Sequence, residues 1–487
     1  MRPFGLSGIA AFAVLVLSAA PARAQIGEAA PRPDEQFDFM NLLTHHGLHD
    51  IDHESWNAYG QFTYIQSYKL PFSAAYSSPG FSLAPTGETS FTGTLTLFLG
   101  ARLWKGGAAY VVPEVISERP LSGLRGLGGT IQNFELQKTG GETPAVYRSR
   151  AYLEQTIDLG GTSVVQESNP MQLGTVVDSR RLVLVAGNYS VLDFFDRNTF
   201  ASDLRQQFFN MAFLTYAAYD FAADARGYAY GGTAELHYDD WAARIGRFTP
   251  PQQPNQLPLT FELNKFYGDQ AEIEHTHTIL GRAGVVRVLG YRNRETMGNF
   301  NDAIAAFEAD PTKNNAAACA SQNLFNYNST NTKAPDLCFV RKPQTKVGIG
   351  INLEQYVTSD IGVFFRAMYS DGQTEVYSYT STDRSVSLGA LAKGSAWRRP
   401  NDVTGVGLGV GWISQAHAQY LRMGGVDGFV GDGNLRQAPE SVIEVFYSVN
   451  VLTSLWLSAD YQHITNPAYN ADRGPVDVFG GRVHAEF

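Results

Sequence analysis

Between Phe91 and Trp104 apolar and polar side chains change places at every step. Phe91, Leu95, Leu97, Leu99, Ala101 and Leu103 share one face, and Thr92, Thr94, Thr96, Arg102 and Trp104 the other. A period of two sustained over this length predicts a strand with one face in lipid and one in water. An arginine facing lipid at the midplane costs about 2–4 kcal/mol, which assigns Arg102 to the water side. Lys105-Gly106-Gly107 predicts a turn and Ala108–Glu118 the returning strand, with Tyr110, Glu114 and Glu118 on the polar face. Pro113 lies inside that strand and cannot donate a ladder hydrogen bond, which predicts a β-bulge beside it.

The alternation returns over Val146–Ile157, where Arg148, Arg150, Tyr152 and Glu154 form the polar face. It returns again in the pair Tyr228–His237 and Trp241–Phe248, joined at Asp239-Asp240. Glu235 and Arg244 fall on the water side of that hairpin and predict an ion pair. Further hairpins are read over Lys346–Tyr369, Val403–Ser414, Ser441–His463 and Val476–Phe487, the last alternating down to a terminal aromatic. That ending resembles the insertion signal of bacterial outer-membrane barrels. Between Gly298 and Arg341 the pattern lapses into a short helical run at Ala303–Glu308 and then Asn-rich sequence, read as a long external loop.

Composition narrows the architecture. The chain is rich in Gly, Tyr and Phe, only 17% of it is charged, and beyond Ala24 no apolar run approaches the length of a membrane-spanning helix. In lipid every backbone group must be satisfied internally, so such a chain crosses only as a closed barrel: an all-β, transmembrane antiparallel fold. Arg2, the apolar run Ile9–Leu17 and Ala22-Arg23-Ala24 form an export signal, cleaved after residue 24. A leader over 25–55 then precedes a barrel over 56–487. The net charge of −10 becomes −12 once Arg2 and Arg23 are removed, which disfavours nucleic acid as a partner.

Cys319 and Cys338 bracket the Asn-rich stretch Ser321–Pro335, and in an exported chain they predict a disulfide that pins this loop. Metal and cofactor sites are not assigned. Asp193, Asp196, Asn198 and Asp203 lack the order of a calcium loop and read better as hydrogen-bonded loop structure. His45, His49 and His53 stand at helical spacing beside His46, but no fourth ligand is fixed, and a polar leader explains them equally well. Gly405, Gly407, Gly409 and Gly411 alternate as a strand does, with no Gly-Lys-Ser/Thr to follow, and no nucleophile turn is present, so neither nucleotide binding nor catalysis is indicated.

Several segments, in order over most of the mature chain, resemble the OprB family of carbohydrate-selective porins. They are Trp56–Gln61, Leu97–Trp104, Gly187–Val191 leading to Asp193, Asp196-Arg197-Asn198, Asp203, Gln207-Phe208 and Asn210, then Gly227–Gly231. Phe364–Arg366, Trp397–Asp402, Ala438–Glu444, Asp460–Gln462 and Asn466-Pro467 continue it, whereas the histidine-rich leader departs from the family. The resemblance implies a single barrel of about sixteen strands in the bacterial outer membrane, passing small sugars to the periplasm by passive diffusion. A sugar needs hydrogen-bonding groups to replace its water and aromatic faces for its C–H surfaces. On this reading Arg102, Trp104, Tyr110, Glu114, Arg148, Arg150 and Glu154 form the pore constriction. The alternative is a merely salt-bridged inner wall. A general or acid-selective diffusion porin is the competing function, and a barrel-anchored enzyme or adhesin a more distant one. The preferred sugar and the choice between monomer and homo-oligomer stay open.

Overall fold

A computed structural model describes residues 39–77, 81–137, 141–203, 205–312, 333–431 and 433–487. The export signal, the first part of the leader and Cys319 lie outside the described residues. Among the described residues eighteen strands follow one another: β1 Trp56–Lys69, β2 Glu88–Trp104, β3 Gly107–Arg119, β4 Ala145–Asp158, β5 Ser163–Gln166, β6 Thr175–Asp178, β7 Arg180–Tyr189, β8 Ala229–Tyr238 and β9 Trp241–Phe248. The second half holds β10 Tyr267–Ile279, β11 Arg282–Met297, β12 Lys342–Tyr356, β13 Ile361–Ser370, β14 Arg384–Gly394, β15 Arg399–Trp412, β16 Glu440–Leu452, β17 Leu455–Thr465 and β18 Val476–Glu486. All but β5 and β6 form one closed antiparallel barrel of sixteen strands, which β1 and β18 seal between Gln61↔Glu486 and Lys69↔Val478. The short β5–β6 hairpin stands apart from it.

Strand chemistry explains the closure. On β2, Leu95, Leu97 and Leu99 point outward while Thr92, Thr94 and Thr96 are buried inside. No helix among the described residues is long and apolar enough to cross a membrane. The crossing is made by strands, whose ring leaves no open edge in lipid. The terminal Phe487 pairs its backbone with Gly60, and its ring lies where a side chain at residue 60 would sit. A glycine is required there by the close approach.

Pro113 does mark a bulge. The β3–β4 register shifts between Val112, opposite Arg150, and Pro113, opposite Arg148, leaving Ser149 as the extra residue with its Oγ donating to the Val112 carbonyl. One added residue reverses the inward–outward parity above it.

Tight connections such as 105–106, 239–240, 280–281 and 453–454 lie at the end where β1 begins and β18 finishes, and long segments lie at the other. Short turns are periplasmic and long loops extracellular in such barrels. At the long-loop end sit the helices α2, Phe300–Ala309, and α3, Gln415–Arg422, which pack on each other. Cys338 in that region is disulfide-bonded.

Candidate pore and its periplasmic vestibule

The strands β7, β8 and β9 are 10, 10 and 8 residues long, against 17 for β2 and 16 for β11. The chain therefore leaves the wall early at this place, and residues 190–203 and 205–228 fold into the lumen. Ser190 starts the inward turn with a capping box, its side chain accepting from Leu192 N while Asp193 accepts from Ser190 N. The rest of the infolded segment carries an aromatic core: Phe195, Phe208, Phe209, Phe213, Tyr216 and Tyr219 are all buried inside the barrel.

Wall carboxylates hold the backbone of the infolded segments. Glu440 accepts from the amides of Gly128, Gly129 and Thr130, Glu444 from Phe209 and Asn210, Glu272 from Asp196, and Glu354 from Thr199. Each buried carboxylate needs donors, and each irregular segment has spare N–H groups once it leaves the ladder. Arg366 does the converse: its guanidinium donates to Asp196 Oδ1 at 3.1 Å and to the carbonyls of Asp196, Ala201 and Phe213. Burial pushes the Asp196 carboxyl up, and Arg366 with Thr215 and Asn352 works against that shift.

Acid and base alternate around one side of the inner wall. Glu235 on β8 meets Arg244 on β9 at 3.0 Å, the pair expected from the hairpin alternation. Arg244 also contacts Glu272 and, at 3.1 Å, Glu274 on β10. Arg287 on β11 continues the row to Glu274 at 2.7 Å and to Glu354 on β12 at 3.5 Å. Facing this wall, the infolded segment presents Arg197, Asn198 and Thr199. Between them lies a cavity of 2170 Å³ at the periplasmic end, lined by Glu154, Arg181, Arg197, Glu235 and Arg287 among others. Aromatic faces border it too: Phe200 packs edge-on against Tyr356 at 4.9 Å, and Trp456 lines the opposite side.

The seven residues expected at the constriction separate in space. Arg150 grips Asp193 through two 2.7 Å hydrogen bonds, and Glu114 accepts from Thr96 and Tyr147 and stands 3.6 Å from Arg205. Glu154 lines the vestibule. Tyr110 is buried beneath the segment that joins β5 to β6, accepting from Leu173 N at 3.2 Å and packed against Tyr152. Arg102 donates through Nε to the Glu54 carbonyl at 3.1 Å, so it ties the leader to the wall. Trp104 is 54% exposed at the periplasmic turn, because the β2–β3 register slips between Arg102 and Trp104. Arg148 faces outward and donates to Tyr230 at 2.5 Å, because the Ser149 bulge moves Tyr147 to the inside in its place.

Sequence reasoning missed Arg197, Arg205 and Arg287. Burial works to lower Arg205, but Glu135 and Glu114 outweigh it and raise its pKa. The aspartates of the infolded segment serve as hydrogen-bond hubs: Asp193 for Arg150, Asp196 for Thr215 and Asn352, Asp203 for the Arg205 and Gln206 amides.

The leader is fastened at the periplasmic mouth. α1, Phe39–His45, buries Met40 against Tyr59, Phe98 and Val112. Glu54 is buried and collects Ser168 Oγ at 2.7 Å, Gly174 N at 2.7 Å, Asn57 Nδ2 at 3.1 Å and His49 Nε2 at 3.0 Å.

The sequence profile of the OprB family of carbohydrate-selective porins matches residues 82–487. The chain belongs to this family. Among solved structures, the high-pH form of OprB from Pseudomonas putida is similar with a TM-score of 0.62 at 14% identity, covering 89% of this chain and 94% of that one. The channel DcaP of Acinetobacter baumannii gives 0.45 at 12% identity, over 89% of this chain and 97% of that one. OccK2 of Pseudomonas aeruginosa gives 0.41 at 9%, over 90% and 98%. No curated protein matches the chain. Membership of the OprB family makes this barrel a porin of the bacterial outer membrane. The Pseudomonas putida OprB structure shares its fold.

Proposed function

We propose that this OprB-family barrel carries small neutral sugars into the periplasm by passive, selective diffusion. The observation that supports this most directly is the vestibule wall, where the alternating row Glu235–Arg244–Glu274–Arg287–Glu354 is held rigid by its own ion pairs. Fixed donors and acceptors of both signs can replace a sugar's water without binding an ion of either charge strongly. Tyr356, half-buried on the same lining and backed by Phe200, supplies an apolar face for the sugar ring. Of the residues first assigned to the constriction, Glu154 lines the vestibule itself, while Arg150 and Glu114 act by holding the infolded segment that narrows the bore.

The test is liposome swelling with the purified protein, comparing glucose with an amino acid of similar size. Faster swelling in glucose, together with sugar-dependent block of single-channel current, is the expected result. Equal rates for both solutes would instead indicate a general diffusion porin. Hydrolysis or host binding without sugar-dependent conductance would make the barrel only an anchor.

A further inference from the structure

The outer surface carries a cluster of charge across three neighbouring strands, β9 to β11. Arg247 on β9, Asp269 on β10 and Arg292 on β11 are direct ladder partners, and all three point outward. Asp269 accepts from Arg247 Nε at 2.7 Å and Nη2 at 2.9 Å, and from Arg292 Nη2 at 2.6 Å. Both guanidiniums lie over the Tyr267 ring, at 4.2 and 5.1 Å. Arg294 stands opposite Tyr267 on the next row up, exposed and with no ion-pair partner among the described residues. Three arginines against Asp269, with Asp371 farther along the same row beside Val347, leave a net positive patch.

The rows immediately below are apolar. Ile245–Ala271–Gly290–Ile349 and then Ala243–Ile273–Val288–Ile351 run in register across β9 to β12. In the upper of these rows two small residues lie between two isoleucines, and a Cβ at Gly290 would meet only the Gly348 carbonyl, at 3.9 Å. Outward aromatics mark the membrane boundaries: Tyr238 and Trp241 at the periplasmic turn, Tyr230 and Tyr267 at the other end. The arginines therefore sit at the extracellular boundary, where their cost in lipid falls to about 0–1 kcal/mol. Elsewhere on the same rim the outward charges stand singly or in simple pairs, as with Arg148 beside Tyr230, Arg384 over Tyr369 and Asp477 with His463.

We propose that this patch binds the phosphate group of a phosphorylated glycolipid in the outer leaflet, with the acyl chain lying over Ala271 and Gly290. Guanidinium is the side chain suited to phosphate, presenting planar paired donors. Arg292 spends only Nη2 on Asp269, so Nε and Nη1 have no hydrogen-bond partner among the described residues. A second copy of the chain fits less well, since a two-fold contact would set the basic patch against itself.

The probe is lipid A, supplied in bicelles either with its phosphates or enzymatically dephosphorylated, with inorganic phosphate as a third arm. Lipid retained by the full-length protein is read by native mass spectrometry. The wild type is expected to retain the phosphorylated lipid about tenfold better than the dephosphorylated one and to be indifferent to inorganic phosphate. The variant Arg247→Gln/Arg292→Gln/Arg294→Gln is expected to lose that preference while keeping the heat-shifted gel mobility of a folded barrel. Should it not fold, Arg294→Gln alone, which breaks no ion pair, is expected to reduce retention about threefold. Equal retention of the two lipids, competition by inorganic phosphate, unchanged retention in the variants, or a lipid-free oligomer that the triple variant dissociates would each overturn the assignment.

Discussion

Arg150 on the barrel wall and Asp193 at the start of the infolded segment form a two-point ion pair, both bonds 2.7 Å long. Each side chain is mostly buried, at 16% and 12% exposure, so neither charge can turn to bulk water if its partner is lost. Removing one partner of such a pair costs about 3–5 kcal/mol. Arg150→Ala is therefore expected to loosen residues 190–228, raising single-channel conductance and weakening sugar block. Asp193→Asn should do the same from the other side. Unchanged conductance in both variants would show that this pair does not set the bore.

Arg244 is the cation on which Glu235, Glu272 and Glu274 converge. In Arg244→Met the three carboxylates lose their shared counter-charge on the vestibule wall, and the local field becomes negative. The expected outcome is a shift of the reversal potential in a KCl gradient toward cation preference, with Arg244→Lys closer to the wild type. A barrel that stays folded with no change in ion preference would mean that ions do not pass along this wall.

Period-two alternation made the barrel legible because lipid punishes an error in it at every second residue. The same rule failed at single-residue irregularities. Ser149 adds one residue opposite Pro113 and turns Arg148 outward, and the slip after Arg102 does likewise for Trp104. Pro113 signalled that a bulge was present, but not on which strand the extra residue would fall. The infolded segment was less legible still, because its backbone is satisfied by wall carboxylates far away in sequence. Glu440, for example, receives the amide of Gly128, and no local pattern encodes a partner at that separation. Glu235 and Arg244 could be paired because a two-residue turn fixes their register.

The strand alternation assigns Arg102 to the sugar path, whereas the structure sets its Nε on the Glu54 carbonyl. Arg102→Ala is accordingly expected to leave glucose block of the current unchanged while exposing the leader. Limited proteolysis between residues 45 and 54 is the measurement, with cleavage faster in the variant than in wild type. A loss of glucose block without faster cleavage would return Arg102 to the pore.

At the extracellular end, His417 of α3 lies between two aspartates, with Nδ1 3.0 Å from Asp383 and Nε2 3.2 Å from Asp427, the second contact lacking hydrogen-bond geometry. Phe300 of α2 stacks on the imidazole at 4.3 Å, and Lys346 on β12 adds a positive charge nearby. Burial pushes Asp427 up to about 7 from an ordinary 3.8. A carboxyl with a raised folded-state pKa binds its proton more tightly when packed, so its contribution fades as pH climbs from about 4 to about 7. Burial works to lower His417, but Asp383 outweighs it and the pKa is raised, so the imidazolium also stabilises the packed state below its ordinary 6.5 and less as pH rises. Asp383, which burial would raise, is held low by His417 and loses its contribution only in strong acid. The signs for Asp427 and His417 agree, so α3 should pack best in mild acid. Hydrogen exchange across Gln415–Arg422, corrected for intrinsic rates, is expected to be faster at about pH 8.5 than at about pH 5. In His417→Gln that pH difference should shrink, and slower exchange at the higher pH would contradict the electrostatic account of this helix.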